Sequence, residues 1–230
     1  MTDSALETWR DDAAAGSVPF SEAIRTGTRQ VHEEAETSDF MARMLDGQVA
    51  LEGYAALAAE HWVIYGALEE TAARLAADPV VAAFLDPALE RLPALEADLA
   101  VLVGPDFRGG IAPSAAAHAY ADRIRGCASW PGGFVAHHYT RYLGDLSGGL
   151  ALGRILARTY GLVPGEDGLR FYDFRAIPKP KPYKDAYRHA LDILPLSTGE
   201  RERVVEEARV AFRHNAAVFA DLGRRFSATG

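Results

Sequence analysis

Four residues near the start of the chain have side chains that could do chemistry together: Arg25, Arg29, His32 and Glu36. Their steps of four, three and four residues set them along one face of a helix. A histidine that ligates a metal needs its other ring nitrogen hydrogen-bonded, and a carboxylate one turn away can do this. Two guanidinium groups on the same stripe suit a ligand with carboxylates, because the planar arginine fork matches that group. No second histidine or cysteine stands at ligand spacing around His32, which argues against a four-ligand zinc site. Two readings stay open from these residues alone. One is a solvated face with an exposed histidine. The other is a single axial imidazole on a large flat macrocycle, as in haem ligation.

The second set lies in Tyr139–Leu156. Tyr142, Leu146, Leu150 and Ile155 recur at helical steps, yet the segment carries Gly144, Gly148, Gly149 and Gly153. Each glycine costs a helix roughly 1 kcal/mol against alanine, so the four together cost about 3–4 kcal/mol. A helix bearing that cost needs bare backbone on one side, for a second helix or for a flat ligand. The i,i+4 glycine pairs suit tight helix crossing as well as they suit a ligand. Asp145 reads either as an ion-pair partner of Arg141 one turn back or as a reactive carboxylate.

These residues need helices to position them. The chain has 230 residues, enough for one large core or two small ones, and its 49% hydrophobic and 24% charged residues are the balance of a globular protein. Alanine, leucine, arginine and glutamate dominate, which predicts an all-α fold. Ser21 is read as the N-cap of a first helix ending near Glu36, followed by short Asp39–Leu45 and a long Gly53–Ala76. That long helix carries Leu57, His61, Ile64, Leu68, Ala72 and Leu75 on one stripe, with His61 read as packing. Helices are expected over Ser114–Gly126, after a Trp130–Gly133 turn, from Tyr183 to about Leu191, and from a Ser197/Glu200 capping box to about Phe226. The prolines of Ile177–Pro182 predict an extended connector. The expected organisation is a loose arm over 1–16, one helical domain over 17–226 and a tail over 227–230.

The net charge of −8 argues against nucleic acid as a partner. Cys127 is the single cysteine, so no intrachain disulfide or two-cysteine metal site can form. It is read as a buried small hydrophobe. The polar opening residues predict no secretory leader, and no apolar run is long enough for a membrane anchor. A cytoplasmic protein is expected. His137 and His138 are adjacent and therefore diverge on a helix, which argues against a shared metal.

The two sets together carry a resemblance. The run Tyr142-Leu-Gly-Asp-Leu-Ser-Gly-Gly149, the segment Val31-His-Glu-Glu-Ala-Glu36 with Phe40-Met41, and Tyr65-Gly-Ala-Leu-Glu-Glu70 resemble motifs of the haem oxygenase family. So do Phe171-Tyr-Asp-Phe174, Tyr183-Lys-Asp-Ala-Tyr-Arg188 and Phe212-Arg-His-Asn215, in family order. The resemblance runs from about Phe20 to Leu222 and points to soluble bacterial members. It implies a single-domain multi-helix fold that holds haem b between a proximal and a distal helix.

The resemblance also implies roles. His32 is the axial ligand, with Glu36 as its partner. Gly144, Ser147, Gly148 and Gly149 belong to the distal helix over the other haem face. Asp145 organises distal water for the bound dioxygen, and Tyr65, Tyr139, Arg141 and Asn215 extend the polar network. Arg25, Arg29, Lys184 and Arg188 stand near the propionates, where the first two replace the family's frequent lysines. Met41 and Phe212 line the haem. The implied reaction uses dioxygen and external electrons, from a ferredoxin or flavoprotein reductase, to give biliverdin, carbon monoxide and ferrous iron. A monomer or weak dimer is expected, with cleavage at the α carbon favoured. A haem carrier or sensor without turnover is the alternative, and a thiaminase-like enzyme on a similar scaffold is a third reading.

Overall fold

The computed structural model describes residues 18–227, except residue 167 and the side chain of Glu36. The expected arm and nearly all of the tail lie outside the described residues. Among them every regular element is helical: α1 Phe20–Glu36, α2 Asp39–Leu45, α3 Leu51–Arg74, α4 Pro79–Ala82, α5 Leu92–Leu102, α6 Phe107–Gly110, α7 Ala115–Gly126, α8 Pro131–His138, α9 Leu150–Tyr160, α10 Pro180–Asp192 and α11 Thr198–Arg225. Helices α4 and α6 are single turns, in stretches that prolines and glycines punctuate.

Helix α1 buries Phe20, Ile24, Thr28 and Ala35 against α11. A side chain at Gly27 would stand 2.5 Å from Val205 Cγ1, so this glycine sets how closely α1 and α11 approach. Arg209 donates to the Gly27 carbonyl at 2.7 Å across the same contact. Helix α3 packs on α5 and α7 and is buried almost all round, with Tyr54, Leu57, Ile64, Tyr65 and Leu68 in one core. A strongly amphipathic reading of α3 is therefore too narrow; its burial comes from neighbours on several sides.

Two boundaries differ from expectation for physical reasons. Pro180 and Pro182 lie inside the first turn of α10, where a missing N–H leaves no hydrogen bond unmade. Pro131 likewise starts α8, and the expected turn at 132–133 is helix. Of the capping box at α11, half forms. Ser197 accepts from the Glu200 N–H, while the Glu200 carboxylate turns to the Trp130 indole instead of its own N-cap.

Buried polar groups tie the loop after α9 to the core. The Asp98 carboxylate accepts from the backbone N–H groups of Arg170 and Phe171, each at 2.8 Å. Burial pushes its pKa up to about 6 against those two bonds. Arg91 donates to the Asp173 carbonyl at 2.7 Å and stacks 4.2 Å over Phe174. Phe171 and Tyr172 are thereby held where α3, α9 and α11 leave a gap.

Candidate functional site

That gap is a cleft of about 410 Å³ between α1 and the glycine-bearing segment. His32 and Ala35 form one wall; Gly144, Asp145, Ser147, Gly148 and Gly149 form the facing one. The His32 ring meets Phe212 of α11 edge-on, centroids 5.2 Å apart at 81°, which fixes the plane of the imidazole. The Glu36 side chain lies outside the described residues.

The facing wall is one right-handed helical run from Pro131 to Tyr160, but it is not uniform. Tyr139–Leu143 and Asp145–Gly149 are wound in wide i→i+5 turns on either side of Gly144. Such turns are rare and concentrate at functional sites. They widen the backbone where Asp145 must enter the cleft.

The glycines divide by job. A side-chain carbon added at Gly144 or Gly148 meets nothing within 4 Å. One added at Gly153 would stand 2.6 Å from Tyr172 Cβ. Close packing explains Gly153, and open space over the cleft explains Gly144 and Gly148. Gly144→Ala is therefore expected to stabilise the fold by up to about 1 kcal/mol. Gly153→Ala is expected to destabilise it by about 1–3 kcal/mol. Urea unfolding of both variants checks this; equal signs would contradict the division.

Asp145 and Arg141 sit on this run, 8% and 6% exposed, and Tyr65 of α3 comes between them. Tyr65 donates its hydroxyl proton to Asp145 Oδ2 in a short hydrogen bond. Arg141 Nε donates to the Tyr65 oxygen at 3.3 Å, and its Nη1 donates to Asn215 Oδ1 at 2.6 Å. Burial raises the Asp145 pKa above the ordinary carboxylate value, opposed by the Arg141 charge and the Tyr65 hydrogen bond. Burial also raises Tyr65 well above a free phenol, so it stays a donor. Burial disfavours the Arg141 cation, but Tyr65 and Asp145 more than restore it.

The mouth of the cleft is basic. Arg25 of α1 and Arg188 of α10 line it beside Tyr139. Burial raises the Tyr139 hydroxyl, and the charges of Arg188 and Arg25 pull it back, so both cations face this phenol. Arg29 lies next door in a cavity of about 260 Å³ shared with Arg25, His32, Tyr139 and Phe212. Lys184 reaches across from α10 and donates to Ser147 Oγ at 3.0 Å.

The cleft therefore gathers Arg25, His32, Met41, Tyr139, Arg141, Gly144, Asp145, Ser147, Gly148, Gly149, Arg188, Phe212 and Asn215. Tyr65 stands behind its wall, and Lys184 and Arg29 stand at its edge. Leu57, His61, Leu152, Phe171, Tyr172 and Phe219 also line it and received no site role from sequence. His61 and Leu57 share the α3 stripe with Tyr65, which was the available signal. His137 and His138 do diverge: one bonds Glu207, the other the Tyr187 hydroxyl. Cys127 is buried, and burial pushes its thiol up to about 12, so it stays protonated.

The fold and cleft define a single-domain all-α protein with an imidazole and bare backbone on facing walls of one cleft and cations at its mouth. The family described as heme oxygenase matches residues 18–221. The chain is 38% identical over 207 residues to heme oxygenase 1 of Synechocystis sp., covering 90% of this chain and 85% of that one. It is also 38% identical to human heme oxygenase 1 over 205 residues, covering 88% and 71%. The crystal structure of the Synechocystis heme oxygenase-1 in complex with heme superposes with a TM-score of 0.86 at 37% identity, over 91% of this chain and 94% of that one. Heme oxygenase from Leptospira interrogans superposes with a TM-score of 0.82 at 33% identity, over 89% and 100%. The chain belongs to the haem oxygenase family.

Proposed function

We propose that this chain is a haem oxygenase, cleaving haem with dioxygen and external electrons to biliverdin, carbon monoxide and ferrous iron. The observation that carries the reading is the pairing of His32 with a facing wall on which Gly144 and Gly148 present open space. The residues fit haem. The slot has an imidazole on one wall, open space over Gly144 and Gly148 on the other, and guanidinium groups where carboxylates would emerge. Haem is both substrate and cofactor here, and it supplies the redox centre at which dioxygen is reduced.

The chain's own residues position and protonate. His32 would hold the haem iron through a ring nitrogen, and Phe212 sets the plane of that ring. Arg25 and Arg188, with Arg29 and Lys184 at the rim, would pair with the haem carboxylates and so set which carbon is attacked. The α carbon is the inferred site. Tyr65 occupies Asp145 Oδ2 and leaves Oδ1 to accept from a cleft water. That water donates where negative charge develops, which the carboxylate alone cannot do. Arg141 and Asn215 keep the group in place.

Electrons come from outside. A basic rim on a chain of net charge −8 suits an acidic redox protein, a ferredoxin or flavoprotein reductase. The buried free thiol of Cys127 suits the reducing cytoplasm. Among the described residues no helix is long and apolar enough to cross a membrane. Few large apolar side chains are exposed, Val101 and Ile193 among them, which suits a monomer or weak dimer.

The test is anaerobic haem titration, then oxygen with a ferredoxin reducing system. The Soret band should disappear and biliverdin should form in proportion. Intact haem after many reductant equivalents would point to a carrier or sensor instead.

A further inference from the structure

His61 is a buried histidine with no role in the chemistry above. It lies on α3 one turn before Tyr65 and lines the cleft while only 7% exposed. Its ring packs on Phe171, centroids 5.0 Å apart, and meets Tyr65 edge-on at 6.0 Å. Those two contacts use its faces and edge as any apolar ring would. Neither nitrogen has a hydrogen-bond partner among the described residues. The cleft lining it shares also includes apolar Leu57, Leu152, Phe171 and Phe219.

The His61 nitrogens are not among the sealed polar atoms that lack a partner, so they stay accessible to water in the cleft. A leucine at this position would fill the same wall and offer water no hydrogen bond. His61 lines the same cleft as Asp145 and Arg141, which Tyr65 joins from behind. Burial, and then the Arg141 charge, hold the His61 pKa well below its ordinary value. The ring is thus neutral, with one nitrogen to donate and one to accept. An apolar pocket of this kind stays dry unless a polar group anchors water in it.

We propose that His61 is a positioning residue of the reaction: its imidazole anchors water in the cleft and ties that water to Asp145. The proposal rests on the haem oxygenase reading of the cleft. His61 acts on the diatomic ligand through this water and does not itself touch haem.

His61→Leu removes the anchor and keeps the volume; His61→Gln keeps a donor and an acceptor. Each protein is loaded with haem. Two probes of the distal field are read: the carbon monoxide stretch of the reduced complex, and fluoride affinity of the ferric complex. For His61→Leu the stretch should move to higher wavenumber, and fluoride should bind roughly three- to tenfold more weakly, the loss of one hydrogen bond. His61→Gln should return both most of the way. A packing role would change the melting temperature and leave both probes at wild-type values, and that result would overturn the proposal. Failure of the wild-type protein to take up haem would instead overturn the reading of the cleft. If His61→Leu does not fold, His61→Met, which also has no N–H donor, is read by the same two probes: wild-type values in it sink the idea.

Discussion

His32→Ala is expected to lower haem affinity and biliverdin turnover by at least about 100-fold. Losing only the hydrogen-bonded partner of a ligating histidine costs 10–100-fold, and removing the ligand itself exceeds that. His32 is half-buried and meets Phe212 edge-on. An aromatic pair of this kind contributes about 0.5–1.5 kcal/mol, which a thermal melt of the variant reads separately from haem uptake. Added imidazole should enter the vacated space beside Phe212 and restore part of the haem spectrum. The alternative ligand would be His61, which lines the same cleft from α3. Unchanged haem spectra in His32→Ala, lost in His61→Leu, would move the iron to the other wall and dismantle the assignment.

What the sequence disclosed follows from where information is local. His32, Arg25 and Arg29 were legible because helical spacing alone puts them on one stripe, and α1 is an ordinary helix with Ile24, Thr28 and Ala35 buried. Asp145 and Gly144 stood out because four glycines in one apolar helix demand a reason. Which reason applied at each glycine was not local. Gly153 packs on Tyr172, which arrives from a loop fixed by Asp98 and Arg91, far away in sequence. The wide turns around Gly144 were also hidden, since i→i+5 winding leaves little trace in residue pattern. His61 was dismissed for lack of a neighbour in sequence. Its neighbours are Phe171 and the charge of Arg141, both brought by tertiary packing. Pro180 and Pro182 misled in the opposite direction: prolines break helices in the middle but begin them well, and only the position of the first turn separates the two cases.

Asp145→Asn is the substitution that isolates charge from shape. The amide keeps the size of the carboxyl and can still accept from Tyr65 through its oxygen. It loses the negative charge that draws water to the second oxygen and orients it. Biliverdin formation should fall by about 10²–10⁴, the span assigned to a positioned proton-transfer group. Haem should still bind, because His32 and the cations at the mouth are untouched. Stability should move the other way. Burial raises the Asp145 pKa, so in the window above a free carboxyl, whose pKa is about 4, the folded state binds more protons than the unfolded one. Stability from this group is therefore full at low pH and is lost as pH rises through the raised value. An asparagine has no such loss. The variant should unfold at higher denaturant than wild type at neutral pH, and the two should converge as pH falls toward the unfolded value. Chemical unfolding at several pH values, beside product yield on the same preparations, checks both halves. Normal biliverdin yield would remove Asp145 from the reaction. Lost yield with a destabilised protein at neutral pH would mean that the carboxylate supports the fold, and that the strain attributed to its buried charge is absent.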